Sequence, residues 1–120
     1  MKWVVLIHED FDPEFDVLPE DVQDQLLAYA RMLQTFGPTL GRPWVDTLNG
    51  SHHANMKKLR FTAANGVWRV AFAFDLERRA LLLACGNKSG GSEKRFYRAL
   101  IQKADKRFDD HLARIKKKKG

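Results

Sequence analysis

A single cysteine in 120 residues excludes an intrachain disulfide, so the stability of this chain must come from packing and hydrogen bonding. That residue, Cys85, lies in an apolar run and reads as a small core side chain in a reducing compartment. Long apolar runs are missing too. The N-terminal stretch Trp3 to Ile7 holds five apolar residues, too few for a signal-peptide core or a membrane span, so a cytoplasmic protein with no membrane partner is expected. No Gly-x-x-x-x-Gly-Lys-Ser/Thr spacing occurs, which excludes a nucleotide P-loop. His52 and His53 are adjacent, but neighbouring residues of a strand point apart, and no Cys or third His lies near them in the sequence. No metal and no cofactor is therefore expected, while either histidine has a pKa suited to general acid or base work.

Acidic residues are scarce over most of the chain. The first 30 residues hold one Lys against eight acids, a net of −7, whereas the rest hold 20 basic residues against 7 acidic, a net of +13. A basic lobe of this kind suits nucleic acid, and an acidic segment beside it limits indiscriminate binding of polyanions.

What is present is a run of alternating residues from Met56 to Lys88, broken twice by short polar segments, which predicts three consecutive antiparallel strands. In the middle strand Trp68, Val70, Phe72 and Phe74 share one parity and face the core. Arg69 takes the other face. In the first strand Leu59 and Phe61 face the core, so Lys58 and Arg60 join Arg69 on one surface. Such cations serve solubility on many strands; three on one face also make an anion site, most plausibly for phosphate.

Upstream, Lys2 to His8 predicts a buried strand, and Phe11 and Phe15 are spaced to tuck onto the core. Pro19 opens a helix with apolar positions Val22, Leu26, Tyr29, Leu33 and Phe36, ended by Gly37 and Pro38. Residues 39–55 read as a loop. After the meander, Gly86 to Glu93 is glycine-rich and places Lys88 where backbone amides can also meet an anion. Ser92 caps a final helix whose apolar stripe is Tyr97, Ile101, Ala104, Phe108, Leu112 and Ile115. Lys94, Arg95 and Arg98 lie on its polar face and, with Lys57, read as RNA-binding cations. Tyr97 is either core or a proton donor. One domain over residues 1–115 is expected, followed by a basic, disordered tail at 116–120.

The order of these segments, with Gly-Arg-Pro at 41–43, Lys-Leu-Arg-Phe at 58–61, Gly-Val-Trp-Arg-Val-Ala-Phe at 66–72, Gly-Asn-Lys at 86–88 and Ser-Glu-Lys-Arg-Phe-Tyr at 92–97, resembles the RelE/HigB superfamily. More closely it resembles the phage-derived, HigB-like toxins of bacterial type II toxin–antitoxin modules. The resemblance implies a small α+β fold in which helices pack on one face of an antiparallel sheet, here the N-terminal strand plus the meander. It also implies an endoribonuclease, an mRNA interferase that inhibits translation at the ribosome, silenced by a cognate antitoxin that is a helix-turn-helix DNA-binding protein. Matched residue by residue, Arg60 falls on the family's Leu-Arg, Lys58 on a basic residue before it, and Arg69 on the Arg of a Gly-aromatic-Arg segment. Lys88 matches a basic position after the Gly ending the third strand, and Tyr97 a tyrosine near the closing helix. Two extra residues separate Ser92-Glu93 from that tyrosine, Val67-Trp68 replaces a single aromatic, and Met56 stands where many relatives carry a cation.

Metal-free RNA cleavage needs cations for a developing phosphate dianion and a base and acid for two protons. Arg69 and Arg60 are the expected clamp, and Lys58, Lys88, Tyr97, His52 or His53 the candidate proton-transfer groups. The alternative is a non-catalytic basic module that holds RNA or a ribosomal surface and blocks it.

Overall fold

The computed structural model describes residues 2–88 and 91–119. The predicted meander is present as β3 (Lys57–Ala63), β4 (Gly66–Phe74) and β5 (Arg79–Asn87), paired antiparallel. Ala64 and Asn65 turn the chain between β3 and β4 with φ of 48° and 59°, the positive values a two-residue hairpin demands.

Three features differ from the sequence-based expectation. First, β1 (Val4–Ile7) runs parallel to β5, so the sheet is mixed rather than antiparallel. Parity alone cannot give the direction of a strand whose partner lies at the far end of the meander. Second, the segment read as a loop contributes a short fifth strand, β2 (Val45–Thr47), on the free edge of β3, giving the order β1-β5-β4-β3-β2. Third, the helices cover both faces. Helices α1 (Asp12–Asp16) and α2 (Glu20–Phe36) pack with Leu59, Phe61, Val70, Phe72 and Leu82. Helix α3 (Glu93–Lys119) packs on the other side with Ala71, Ala73, Leu81 and Leu83. Small residues of β4 leave room for a helix there, so the face opposite the bulky residues is a second core. A bulge between Ala71 and Phe72 puts Leu83 and Ala84 on that same face.

Phe11 is fully buried as expected, and α2 buries Val22, Leu26 and Leu33. Phe36 is half-exposed, and the alternation of β1 leaves Val4 and Leu6 exposed at 50% and 37%, because α3 does not reach over that strand. Beyond Leu82, no strand among the described residues pairs with β5 on this edge. Arg107 of α3 fills the gap: its Nη1 donates to the Leu83 carbonyl at 2.8 Å while both Nη atoms hold Glu14 of α1, at 3.0 and 2.7 Å. One side chain thus joins both helical layers around the end of β1. Helix α3 continues through the lysines from 116 to 119.

Candidate functional site

The register of the central strands determines which cations share a surface. Lys58 lies opposite Ala71, and Arg60 opposite Arg69, all on the side that carries α3. The shared face read from alternation is therefore present, but it is not open. Ser92 Oγ accepts the Arg95 amide at 3.3 Å and caps α3, so that the helix's first turn lands on the sheet. Gly86 permits this approach, since a Cβ there would lie 2.8 Å from the Phe96 ring. Beneath that turn Arg69 is 8% exposed. Its guanidinium lies 5.6 Å from the ring centroids of both Phe96 and Tyr97, and Nη1 donates to the Val67 carbonyl at 3.1 Å. Its Nε is buried without an acceptor. Lys58 Nζ reaches the Tyr97 ring as well, 4.9 Å from its centroid. Lys58, Arg69 and Tyr97 form one cluster, and Arg60 is exposed one register step away.

The remaining candidates divide. Lys94 and Arg98 line an open cleft of about 660 Å³ together with Tyr97, while Arg95 is exposed on the same turn of helix. Lys57 lies with Pro38, Asp46 and Phe74, on the face opposite Lys58, and is not brought to the cluster. Lys88 is half-buried just beyond β5. Part of the glycine-rich loop expected beside it, Ser89 and Gly90, lies outside the described residues. Burial pushes the Cys85 thiol up to about 12, which suits the core role expected of it.

His52 lines the far end of the cleft with His53 beside it, and the two are joined by residues that the sequence reading passed over. The segment 51–55 is a turn, not a strand. Ser51 Oγ accepts the His53 amide at 3.0 Å and donates to Asp105 of α3, and this brings both imidazoles to one side with centroids 4.4 Å apart. His52 Nδ1 lies 3.0 Å from Asp105 Oδ2, and Asp109 Oδ1 sits 3.1 Å from His52 Nε2 and 2.7 Å from His53 Nε2. The hydrogen bond to Asp109 raises the His52 pKa, and the same bond lowers that of Asp109. A spacing of four on α3 puts Asp105 and Asp109 on one helical face, the signal that could have paired them with the histidines.

A five-stranded mixed sheet with a long helix over a basic face is the RelE toxin fold. Escherichia coli toxin RelE, in a double-arginine mutant in the free state, superposes with a TM-score of 0.60 at 15% identity, over 86% of this chain and 97% of that one. RelE in the archaeal RelE–RelB complex from Pyrococcus horikoshii gives 0.55 at 18% identity, over 76% and 100%. Residues 13–109 match the phage-derived protein Gp49-like family, and the chain belongs to that family, of HigB/RelE type. It is 40% identical over 112 residues to the putative toxin HigB2 of Mycobacterium tuberculosis, covering 86% of this chain but 55% of the relative. The chain thus spans about half of HigB2's length. It is 42% identical over 99 residues to the putative toxin HigB3 of the same organism, covering 82% and 84%.

Proposed function

We propose that this chain is the toxin of a type II toxin–antitoxin pair, a metal-independent endoribonuclease that cuts mRNA held by the ribosome in the cytoplasm. The observation that carries the chemistry is the convergence of Lys58 and Arg69 on Tyr97, with Arg60 beside them. Relatives named as putative toxins over most of this chain support the biological role. The ribose 2′-hydroxyl gives its proton to a base and attacks the adjacent phosphorus, the P–O5′ bond breaks and the 5′-oxygen leaves with a proton from an acid, giving a 2′,3′-cyclic phosphate, while cations around the phosphoryl oxygens stabilise the developing dianion. Each such group contributes about 3 kcal/mol. Lys58, Arg60 and Tyr97 meet the phosphate at the surface; Arg69 joins when the first turn of α3 moves off it. Lys58, Lys88 and Tyr97 share the proton transfers. Lys94, Arg95 and Arg98 hold the flanking backbone. The partner that silences this activity is an antitoxin with a helix-turn-helix DNA-binding domain.

The burial of Arg69 favours a second reading, in which the exposed cations bind RNA or the ribosome and block it without cleavage. Primer extension on a translated message separates the two. Discrete new 5′ ends on induction are the expected outcome, and arrest of translation with intact message leaves the blocker. If induced cells incorporate labelled amino acids at the control rate while the protein accumulates, neither reading stands.

A further inference from the structure

The turn at 51–55 and the middle of α3 bring together nitrogen and oxygen donors of a kind that binds transition metals. We propose that His52, His53, Asp105 and Asp109 form a structural zinc site that fastens the β2–β3 connection to α3. One donor atom from each of His52, His53 and Asp105 lies within 4.8 Å of the others, and Asp109 Oδ1 lies between the two imidazole Nε2 atoms, at 3.1 and 2.7 Å. Zinc at its usual bond lengths of about 2.1 Å holds tetrahedral ligands about 3.4 Å apart, so side-chain rotations draw His52, His53 and Asp105 around an ion and Asp109 follows from the Nε2 side. Two imidazoles and Asp105 supply three donors that already lie together, and Asp109, which faces the Nε2 side of His52 while Asp105 faces its Nδ1, rotates in as the fourth ligand.

The surroundings fit such a site. Asp105 is 8% exposed and is oriented by the Ser51 hydroxyl and the His52 amide, the latter at 3.2 Å. The His53 ring stands edge-on to Phe108 with centroids 4.9 Å apart, which fixes its plane. Ligands held in this manner by their neighbours are what sustain metal affinity. Both ring nitrogens of His52 face carboxylates, Nδ1 toward Asp105 and Nε2 toward Asp109, so negative groups already converge on the place a divalent cation would take. The ion would lie on α3 about three turns beyond the Phe96–Tyr97 turn that covers Arg69, and so stiffen the helix forming that cover.

The test uses the full chain without a histidine tag, stripped with chelator and titrated with Zn²⁺ alone. One zinc per chain is expected by elemental analysis after dialysis, together with a thermal midpoint about 4 °C higher when zinc exceeds its dissociation constant tenfold. His52→Ala removes an exposed ligand without opening the core and should weaken zinc binding at least about tenfold; Asp109→Asn should act in the same direction. His111→Ala, at a histidine that instead pairs with Asp75, should leave binding unchanged. Substoichiometric zinc, or equal binding by the wild type and a His52→Ala/Asp109→Asn double variant that stays folded, overturns the site. None of these readouts depends on RNA cleavage, so failure here leaves the proposed activity untouched.

Discussion

Arg69 carries a charge beneath two aromatic rings with its Nε–H unaccepted, a cost set against two cation–π contacts and the Nη1 hydrogen bond to Val67. Alternation revealed its face and its companions Lys58 and Arg60. It could not reveal the cover, because Phe96 and Tyr97 come from a helix whose landing point depends on Gly86 and on the Ser92 cap. We expect Arg69→Met, which keeps the bulk between the rings and removes the unpaired charge, to hold or raise the thermal midpoint while lowering mRNA cleavage in a translating extract about a hundredfold. A loss of stability beyond about 2 kcal/mol with cleavage intact would make Arg69 a packing residue only. His8 offers a pH test at the same scale. It is buried, its Nδ1 accepts the Asp10 amide at 3.0 Å, and burial lowers its pKa below 6.5, with Arg114 and Arg107 adding to the effect and Asp10 and Glu9 opposing it. The unfolded chain then binds this proton more readily than the folded one. Its contribution is complete above pH 6.5 and is lost as pH falls toward the folded value. His52, whose pKa is raised, contributes in the opposite sense. Thermal midpoints from pH 7 to pH 5 should fall less steeply in His8→Asn than in the wild type; parallel curves would show that His8 does not carry the dependence.

The elements divide by the range of the forces that form them. Local period and caps identify β3, β4, β5, α2 and α3, since each carries its own apolar pattern. β2 is three residues long and exists because β3 offers it an unpaired edge, and the parallel pairing of β1 rests on a partner remote in sequence. Those depend on tertiary context and left no local signal. The β4–β5 turn was legible as a polar break, but the side chain that anchors it was not. Asp75 has a fully buried side chain that accepts the Glu77 and Arg79 amides at 2.8 and 3.1 Å, Arg79 Nε at 2.9 Å and His111 Nε2 of α3 at 2.8 Å. Burial alone would raise its pKa, but these hydrogen bonds outweigh it and the pKa falls. Its contribution is therefore present above pH 3.8 and is lost as pH drops through the folded value. Asp75→Ala strands His111, leaves Arg79 with Glu77 alone, and should cost about 3 kcal/mol in chemical denaturation. A change below about 0.5 kcal/mol would mean that the turn holds without its carboxylate.

Across the whole molecule the acidic and basic parts meet at α3. Glu9 pairs with Arg114, and Glu14 with Arg107 and Lys103, so the N-terminal acids neutralise the middle and far end of that helix. Lys58, Arg60, Lys94, Arg95 and Arg98 lie at the start of α3 and on the adjoining strands, and on the proposed function they are the cations that a polyanion meets. The charge asymmetry was legible in composition; its orientation was not, because it depends on Arg107 reaching past the end of β1. This arrangement predicts a specific salt response. Three or four phosphate contacts on a single strand give a slope of about −2 to −3 in log affinity against log salt concentration. Replacing both Lys94 and Arg98 by Ala should make that slope shallower by about 1.4, whereas truncation after Ile115 should weaken binding only mildly, because the lysines beyond it lie at the opposite end of the helix. Fluorescence anisotropy of a labelled single-stranded RNA across a salt series measures both. If the slope is flat, or if truncation reduces it more than the Lys94/Arg98 pair does, RNA follows the distal lysines and the start of α3 is not its binding surface.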